Sequence, residues 1–337
     1  LMKAFRDSEM TLVVHDRLSD DSPPDAVLSL ATRFHEAGCD AIIVLGQGGV
    51  VHQAKALRLW VERSERDAAA PERDGAPNAA SAAADVPSSS EEVTSDEGGA
   101  SKVEGDAPQD QMDLPDPAAL AGAHRIALFW LPTGPGEGDE LGGHLRFGGH
   151  SIRHPRLRPQ LACIDKRLLE PGDPDQLLNN VLVALVNAVE VCLARGDNPF
   201  AATYAEAALG AIGQTLTPEG LEARPATIQL ALTNASVWAD CARDMAPLGL
   251  AHRLGRYLSE HVDRGAGICM ALCLPAVVDA VLARTPRLAA ELLYLLGDAE
   301  LYSLTRPELR RARCVNLLRE GWQTLSDNWP DDLPRGI

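Results

Sequence analysis

Three features of this 337-residue chain have residue types and spacings suited to chemistry. Two are glycine-rich stretches, Gly46-Gln-Gly-Gly49 and Thr133-Gly-Pro-Gly-Glu-Gly138. A phosphate needs backbone N–H groups at close range, and a side chain would block its approach, so both stretches suit a phosphorylated ligand. They equally suit tight turns that only close a fold. The third is His252, within Gly249-Leu-Ala-His-Arg-Leu-Gly255. Imidazole titrates near neutrality and can pass a proton, although a histidine on a packed helix can also be plain core. Other groupings point nowhere definite. Cys269 and Cys273 stand four apart, but two thiolates without further ligands do not make a metal site. Ser236 lacks a G-x-S-x-G setting, and His15, His35, His124, His144, His150 and His154 show no ligand spacing.

The elements that must position these groups fall into three zones. Thr11-Leu-Val-Val14 and Ala41-Ile-Ile-Val-Leu45 are short apolar runs that read as strands. A helical pattern over Asp25–Ala37 lies between them and stops at Gly38, and a second follows Gly49 to about Arg63. Strand, helix, strand, glycine turn, helix is the grammar of a parallel sheet. Residues 67–117 are rich in Ala, Ser, Pro, Gly, Asp and Glu and poor in large apolar side chains, so they predict a disordered acidic insertion. The α/β pattern resumes at Arg125-Ile-Ala-Leu-Phe-Trp-Leu131 and ends with a short strand at Leu161-Ala-Cys-Ile164. From Asp173-Pro174 onward the chain reads as helices. The expected organisation is an α/β part at 1–165, with the insertion inside it, and an all-helical part at 166–337.

Composition narrows the function. A net charge of −17 repels a phosphate backbone, and the short basic run at 153–158 reads as a solvated turn, so nucleic acid is not an expected partner. Seven cysteines with no C-x-x-C pair read as reduced core thiols. The opening residues lack a signal-like apolar run, and no uninterrupted apolar stretch approaches the length of a membrane span. These features predict a cytoplasmic chain with no membrane partner.

Four stretches, taken in order, resemble the iron-containing (group III) alcohol dehydrogenase family, which includes maleylacetate reductases. Asp40-Ala-Ile-Ile-Val-Leu-Gly-Gln-Gly-Gly-Val-Val-His-Gln-Ala-Lys55 is similar to D-x-I-I-A-x-G-G-G-S-x-x-D-x-A-K. Leu131-Pro-Thr-Gly-Pro-Gly-Glu-Gly-Asp-Glu140 resembles I-P-T-T-A-G-T-G-S-E. Arg156-Leu-Arg-Pro-Gln-Leu-Ala-Cys-Ile-Asp165 resembles the P-x-x-A-I-x-D strand, and Gly249–Gly255 resembles G-x-A-H-x-L-G. The resemblance implies a truncated Rossmann-like parallel sheet followed by an all-α domain, in a dehydroquinate synthase-like architecture. It implies roughly one further βαβ unit ahead of the first motif. It places Gly46, Gly48 and Gly49 at the pyrophosphate of NAD or NADP, and Thr133, Gly136 and Gly138 toward the nicotinamide ribose. It gives His252 a proton-relay role on a small alcohol or carbonyl substrate.

The departures matter as much. The family's metal-binding Asp and His, four apart in D-A-L-x-H-A-x-E, fall on Val183 and Asn187. Its two further His ligands fall on Leu248 and on Arg264 or Ala266, with His261 off register. Aliphatic side chains offer no lone pair, so no metal is expected. The acid after the glycine turn is His52, and the Ser before Glu140 is Asp139. Glu137 and Asp139 in a phosphate-facing loop would repel a pyrophosphate by on the order of 1 kcal/mol each. Two outcomes stay open: a metal-independent NAD(P)-linked oxidoreductase, for which Lys55, His252 and the glycines speak, or an inactive homologue serving as a binding, regulatory or structural subunit. A homo-oligomer or a paralogous partner is compatible with either.

Overall fold

The computed structural model describes residues 10–18, 23–69, 114–117, 125–169, 173–194, 198–215, 225–247 and 249–328. Helix α1 (Pro24–Glu36) buries Val27, Leu30, Ala31 and Phe34, the i, i+3, i+4, i+7 stripe that its sequence announces. Strand β1 (Ala41–Leu45) and helix α2 (Gly49–Ala69) follow. Strand β2 is Ala127–Leu131, and β3 (His144–Phe147) and β4 (His150–Arg153) form an antiparallel hairpin. Strand β5 is only Leu161–Ala162. The parallel sheet has the order β1-β2-β5, with Ala41 opposite Ala127 and Phe129 opposite Leu161.

Two expectations change here. The run at 11–14 forms no strand; residues 10–18 are irregular, and the carbonyl of Val14 accepts from Arg33. Four apolar residues make a strand only where a neighbouring strand supplies ladder partners. Helix α2 continues through 67–69, so the predicted insertion begins later than composition suggested. The remainder of 67–117, apart from 114–117, lies outside the described residues.

Helix α2 is unusual in that every residue from Val51 to Glu62 is buried. Its polar side chains therefore need internal partners. The Lys55 ammonium donates to three backbone carbonyls, those of Asp139 (2.5 Å), Gly142 (2.8 Å) and His144 (2.8 Å). Arg58 donates to the carbonyls of Arg156 and Arg158, and Glu62 accepts from the N–H of Ile126 and from Arg156 Nε at 2.6 Å. The basic run at 153–158 is thus a set of struts rather than a solvated turn. Arg156 holds α2, while Arg158 pairs with Asp244 of the helical half at 2.5 Å.

The helical half comprises α3 (Pro174–Leu193), α4 (Pro199–Thr215), α5 (Pro225–Asp244), α6 (Leu250–Ser259), α7 (Ala266–Arg284), α8 (Leu288–Leu296), α9 (Ala299–Leu304) and α10 (Arg310–Asn328). Helix α3 is the centre, packed against α4, α5, α6 and α7. By length and composition α3 and α7 could each cross a membrane, but most of the apolar window of α3 is buried in this core. Buried apolar side chains form two clusters, one at 27–157 and one at 178–322. All seven cysteines are free thiols; Cys269, Cys273 and Cys314 are buried, whereas Cys163 is exposed.

Candidate functional site

The loop between β2 and β3 carries the second glycine-rich stretch, and it lies between the two halves. Helix α5 fastens it from one side with residues spaced along a single face. Ser236 Oγ accepts from the N–H of Gly136 at 3.0 Å and donates to the carbonyl of the same residue. One turn on, Asp240 Oδ2 accepts from the N–H groups of Leu141 (2.6 Å) and Gly142 (3.2 Å). A further turn on, Asp244 accepts from Gly143 at 3.0 Å. Burial raises the Asp240 carboxyl to about 6, against the opposing pull of Arg243.

Glu140 fastens the loop from within. Its Oε1 accepts from the N–H of Gly48 (2.8 Å) and of Glu137 (2.7 Å), and its Oε2 from Gly138 (2.9 Å) and Asp139 (3.0 Å). One carboxylate thus joins both glycine-rich loops, in the manner of an anion in a nest of backbone amides. The Gly46 N–H donates to the Leu131 carbonyl, and Gly136 uses its own on Ser236. Of the six glycine and threonine positions singled out from sequence, Gly49 opens helix α2, where the N–H groups of Val51 (3.1 Å) and His52 (3.4 Å) donate to the Gly48 carbonyl. The Thr133 hydroxyl donates to Gln47 Oε1 at 3.0 Å. Lys55 holds up the loop carbonyls; burial, only partly opposed by Asp240, Asp139 and Glu140, lowers its ammonium to about 8.

Asp139, 1% exposed, lies against three guanidiniums and an imidazole. Arg243 of α5 makes the closest contact, Arg146 of β3 lies at 3.0 Å, His144 at 3.1 Å and Arg256 of α6 at 3.5 Å. His52 Nε2 stands 3.9 Å away, and its Nδ1 accepts from the N–H of Arg146. Burial alone would raise the Asp139 carboxyl, but Arg243, His144, Arg146 and Arg256 hold it well below the usual range. The repulsion expected from two loop acids is therefore corrected. Asp139 is neutralised, and Glu137 is paired with Arg146 at 3.1 Å. The two departures at 52 and 139 also belong together: the acid expected after the glycine turn is replaced by His52, and an acid stands instead at Asp139, the residue His52 faces.

His252 is buried on α6, and its Nδ1 lies 2.8 Å from Asn187 Oδ1. Burial, reinforced by Arg256 and Arg243, lowers the imidazole to about 3, so it is neutral at physiological pH. The G-x-A-H-x-L-G motif has a packing reason. Glu190 Oε1 and Oε2 accept from the N–H groups of Ala251 (2.6 Å) and His252 (3.1 Å), capping α6. A Cβ at Gly249 would run into that carboxylate, and one at Gly255 into the backbone of Met270.

The positions aligned with metal ligands offer little to a metal. Val183 is an apolar core residue, and the Asn187 oxygen is bonded to His252. A Cβ at Gly138 would lie 2.8 Å from Asn187 Nδ2 and 3.3 Å from Val183, so the loop packs directly on this spot. Arg264 is exposed and cationic, Ala266 carries no donor, and Leu248 lies outside the described residues. Among the described residues no three His, Cys, Asp or Glu side chains are grouped to hold a metal ion.

The structure brings His252 and both loops, the candidates of the sequence, into one region. Sequence reading did not name Asp240, Arg243 or Asp244 and set Ser236 aside, although polar residues recurring every three or four positions on an otherwise apolar helix were a visible signal. His144, set aside for lack of ligand spacing, joins the Asp139 cluster through the fold.

The sequence matches no family model. A curated relative, the probable alcohol dehydrogenase EutG of Escherichia coli (strain K12), is 23% identical over 263 residues, which is 75% of this chain and 54% of the relative. The chain thus spans about half the length of that protein. Among solved structures, an alcohol dehydrogenase from Oenococcus oeni superposes with a TM-score of 0.69 at 18% identity, over 99% of this chain and 75% of that one. The iron-containing alcohol dehydrogenase of Thermotoga maritima gives 0.56 at 19% identity, over 95% and 85%. Sulfoacetaldehyde reductase from Bifidobacterium kashiwanohense, solved with NAD+, gives 0.62 at 15% identity, over 92% and 70%. The chain has the fold of these enzymes: a small parallel sheet joined to an all-helical part.

Proposed function

We propose that this chain is an NAD(P)-linked oxidoreductase of the iron-containing alcohol dehydrogenase type that works without a bound metal on a small alcohol or carbonyl compound. The observation that carries the reading is His252. It sits behind the β2–β3 loop, oriented by Asn187 at 2.8 Å, at the place where two of the family's metal positions have become Val183 and Asn187. A nicotinamide dinucleotide supplies or accepts the hydride when bound. Gly49 at the head of α2 would face its phosphates, and Thr133, on exchanging its Gln47 partner for a ribose oxygen, would face its ribose, while Gly46, Gly48, Gly136 and Gly138 shape the loops around it.

The imidazole then orients the substrate oxygen. With Asn187 Oδ1 accepting from Nδ1–H, Nε2 carries the lone pair and accepts a hydrogen bond from an alcohol O–H; held down to about 3, it is too weak a base to keep that proton, which passes on to solvent. In the reducing direction an alkoxide needs positive charge beside it, which a neutral imidazole does not provide. Arg256, one helical turn beyond His252, and Arg243 do. Seven free thiols accord with a reducing, cytoplasmic setting.

Titration of the full chain with NADH and NADPH, read by nicotinamide fluorescence, tests the proposal. Saturable binding of one of them is expected. No binding at millimolar cofactor overturns it. Elemental analysis should find far less than one iron or zinc per chain, and a full equivalent would refute metal independence.

A further inference from the structure

Asp139 holds more donors than one carboxylate can satisfy. Two oxygens offer about four acceptor sites, whereas the guanidiniums of Arg243, Arg146 and Arg256 that converge on them carry about five N–H groups each, and the His144 imidazole lies beside them. The surplus is visible. Arg243 Nε and Arg146 Nε are buried with no hydrogen-bond partner, and Arg243 is only 5% exposed. The hydrogen bond recorded for Arg256 is a single long contact of 3.5 Å to Asp139. The guanidiniums of Arg146 and Arg256 meet the same oxygen of Asp139, and their side chains remain 27% and 21% exposed where that of Asp139 is 1%. Both side chains are thus open to solvent in part, where Asp139 is not. Arg256 follows His252 by one helical turn, on the same side of α6.

We propose that Arg146 and Arg256 form an oxyanion-binding pair beside His252. The oxyanion comes from one of two sources, the carboxylate of an anionic carbonyl substrate or a phosphate of the cofactor. This inference rests on the oxidoreductase reading and names the substrate class it implies. Two guanidiniums present planar donor forks that match a carboxylate or phosphate. Burial, with Arg146 as the next cause, lowers the Arg256 guanidinium. Glu137 now pairs with Arg146 and is itself partly exposed, so an entering anion competes with it.

Calorimetric titration of the full chain with succinate and with inorganic phosphate tests the pair. Wild type should bind at least one of them. Arg256→Gln should weaken that binding at least about tenfold. Glu137→Gln should tighten it severalfold, because the internal competitor is gone, and Arg311→Gln, on a surface pair with Asp279, should leave it unchanged. Succinate binding that persists with NADPH present assigns the pair to a substrate carboxylate. Displacement by both phosphate and NADPH assigns it to a cofactor phosphate. Absence of both succinate and phosphate binding at millimolar concentration, or unchanged affinity in the Arg256 variant, overturns the proposal. Should that variant not fold, wild type labelled with phenylglyoxal decides: succinate or phosphate must protect Arg256, and lack of protection refutes the site. NADH titration in parallel separates the two readings. Cofactor binding without anion binding removes only the oxyanion pair, and anion binding without cofactor binding removes the oxidoreductase reading.

Discussion

The loop junction and the helical core of this protein are held by opposite means. At the junction, residues 136–143 carry few apolar contacts, and nearly every backbone N–H has a named acceptor: Ser236, Glu140, Asp240 or Asp244. In the core, α3 and its neighbours meet through Leu, Val, Ala and Ile, and at its edge a half-open apolar cavity of about 200 Å³ remains, lined by Leu182, Leu209, Leu274, Leu317 and Trp322 among others. Polar clasps fix geometry because each donor needs its acceptor within a few tenths of an ångström. Apolar packing tolerates a gap because dispersion and burial are summed over many weak contacts. The part that bears the candidate chemistry is the part built with directional bonds.

The largest expected effect tests the clasp. Glu140→Ala strands four N–H groups and should cost about 3–5 kcal/mol of stability, measured by urea denaturation. A cost below about 1 kcal/mol would show that water replaces the carboxylate easily and that the contrast is overstated. Leu182→Ala, 2% exposed and beside the cavity, should cost about 2–4 kcal/mol without altering cofactor titration. A lost cofactor site in that variant would mean the two regions are not separable.

A smaller effect is expected from pH. His252 titrates near 3 in the folded protein and near 6.5 unfolded. The folded state therefore binds fewer protons, so this contribution is complete above pH 6.5 and is lost as pH falls toward 3. Asp240, raised to about 6, acts in the other sense: its contribution is present below its unfolded value of 3.8 and is lost as pH rises through 6. Asp240→Asn should steepen the acid-side fall in melting temperature, and His252→Asn should flatten it. The opposite pair of slopes would refute both assignments. Smallest is Gly321→Ala, in helix α10 at the cavity, where a Cβ meets nothing within 4 Å. It should stabilise the chain by about 0.5–1 kcal/mol in a thermal melt. Destabilisation would mean that the gap is not the loose part of the core.

Much of this was legible in the residues. The stripe on α1, the position of β1, the glycine that ends α1 and the proline-led helix starts follow from local stereochemistry and periodicity, which a linear string carries, although the continuous apolar run of β1 suggested burial on both faces and only Ile42 and Val44 are buried. The two glycine loops and His252 were legible as candidates, because the backbone requirement of a phosphate and the pKa of imidazole are properties of residue types. Other features needed tertiary contact. Whether 11–14 became a strand depended on a ladder partner that no local pattern could supply. The basic run at 153–158 read as a solvated turn, yet Glu62 lies nearly a hundred residues upstream of Arg156 and joins it at 2.6 Å. Glu137 and Asp139 looked like a bare acidic loop because their counter-charges come from β3, α5 and α6.

The sequence by itself determined most of the helices and strands, the glycines that turn the chain and the apolar character of Val183. Only the tertiary structure decided that Glu140 occupies the amide nest, that Asp139 is neutralised, and that His252 is a neutral imidazole held by Asn187. The reason is physical. Element formation is governed by interactions within a few residues, whereas charge state and hydrogen-bond supply depend on groups that only the folded chain brings within about 4 Å of one another.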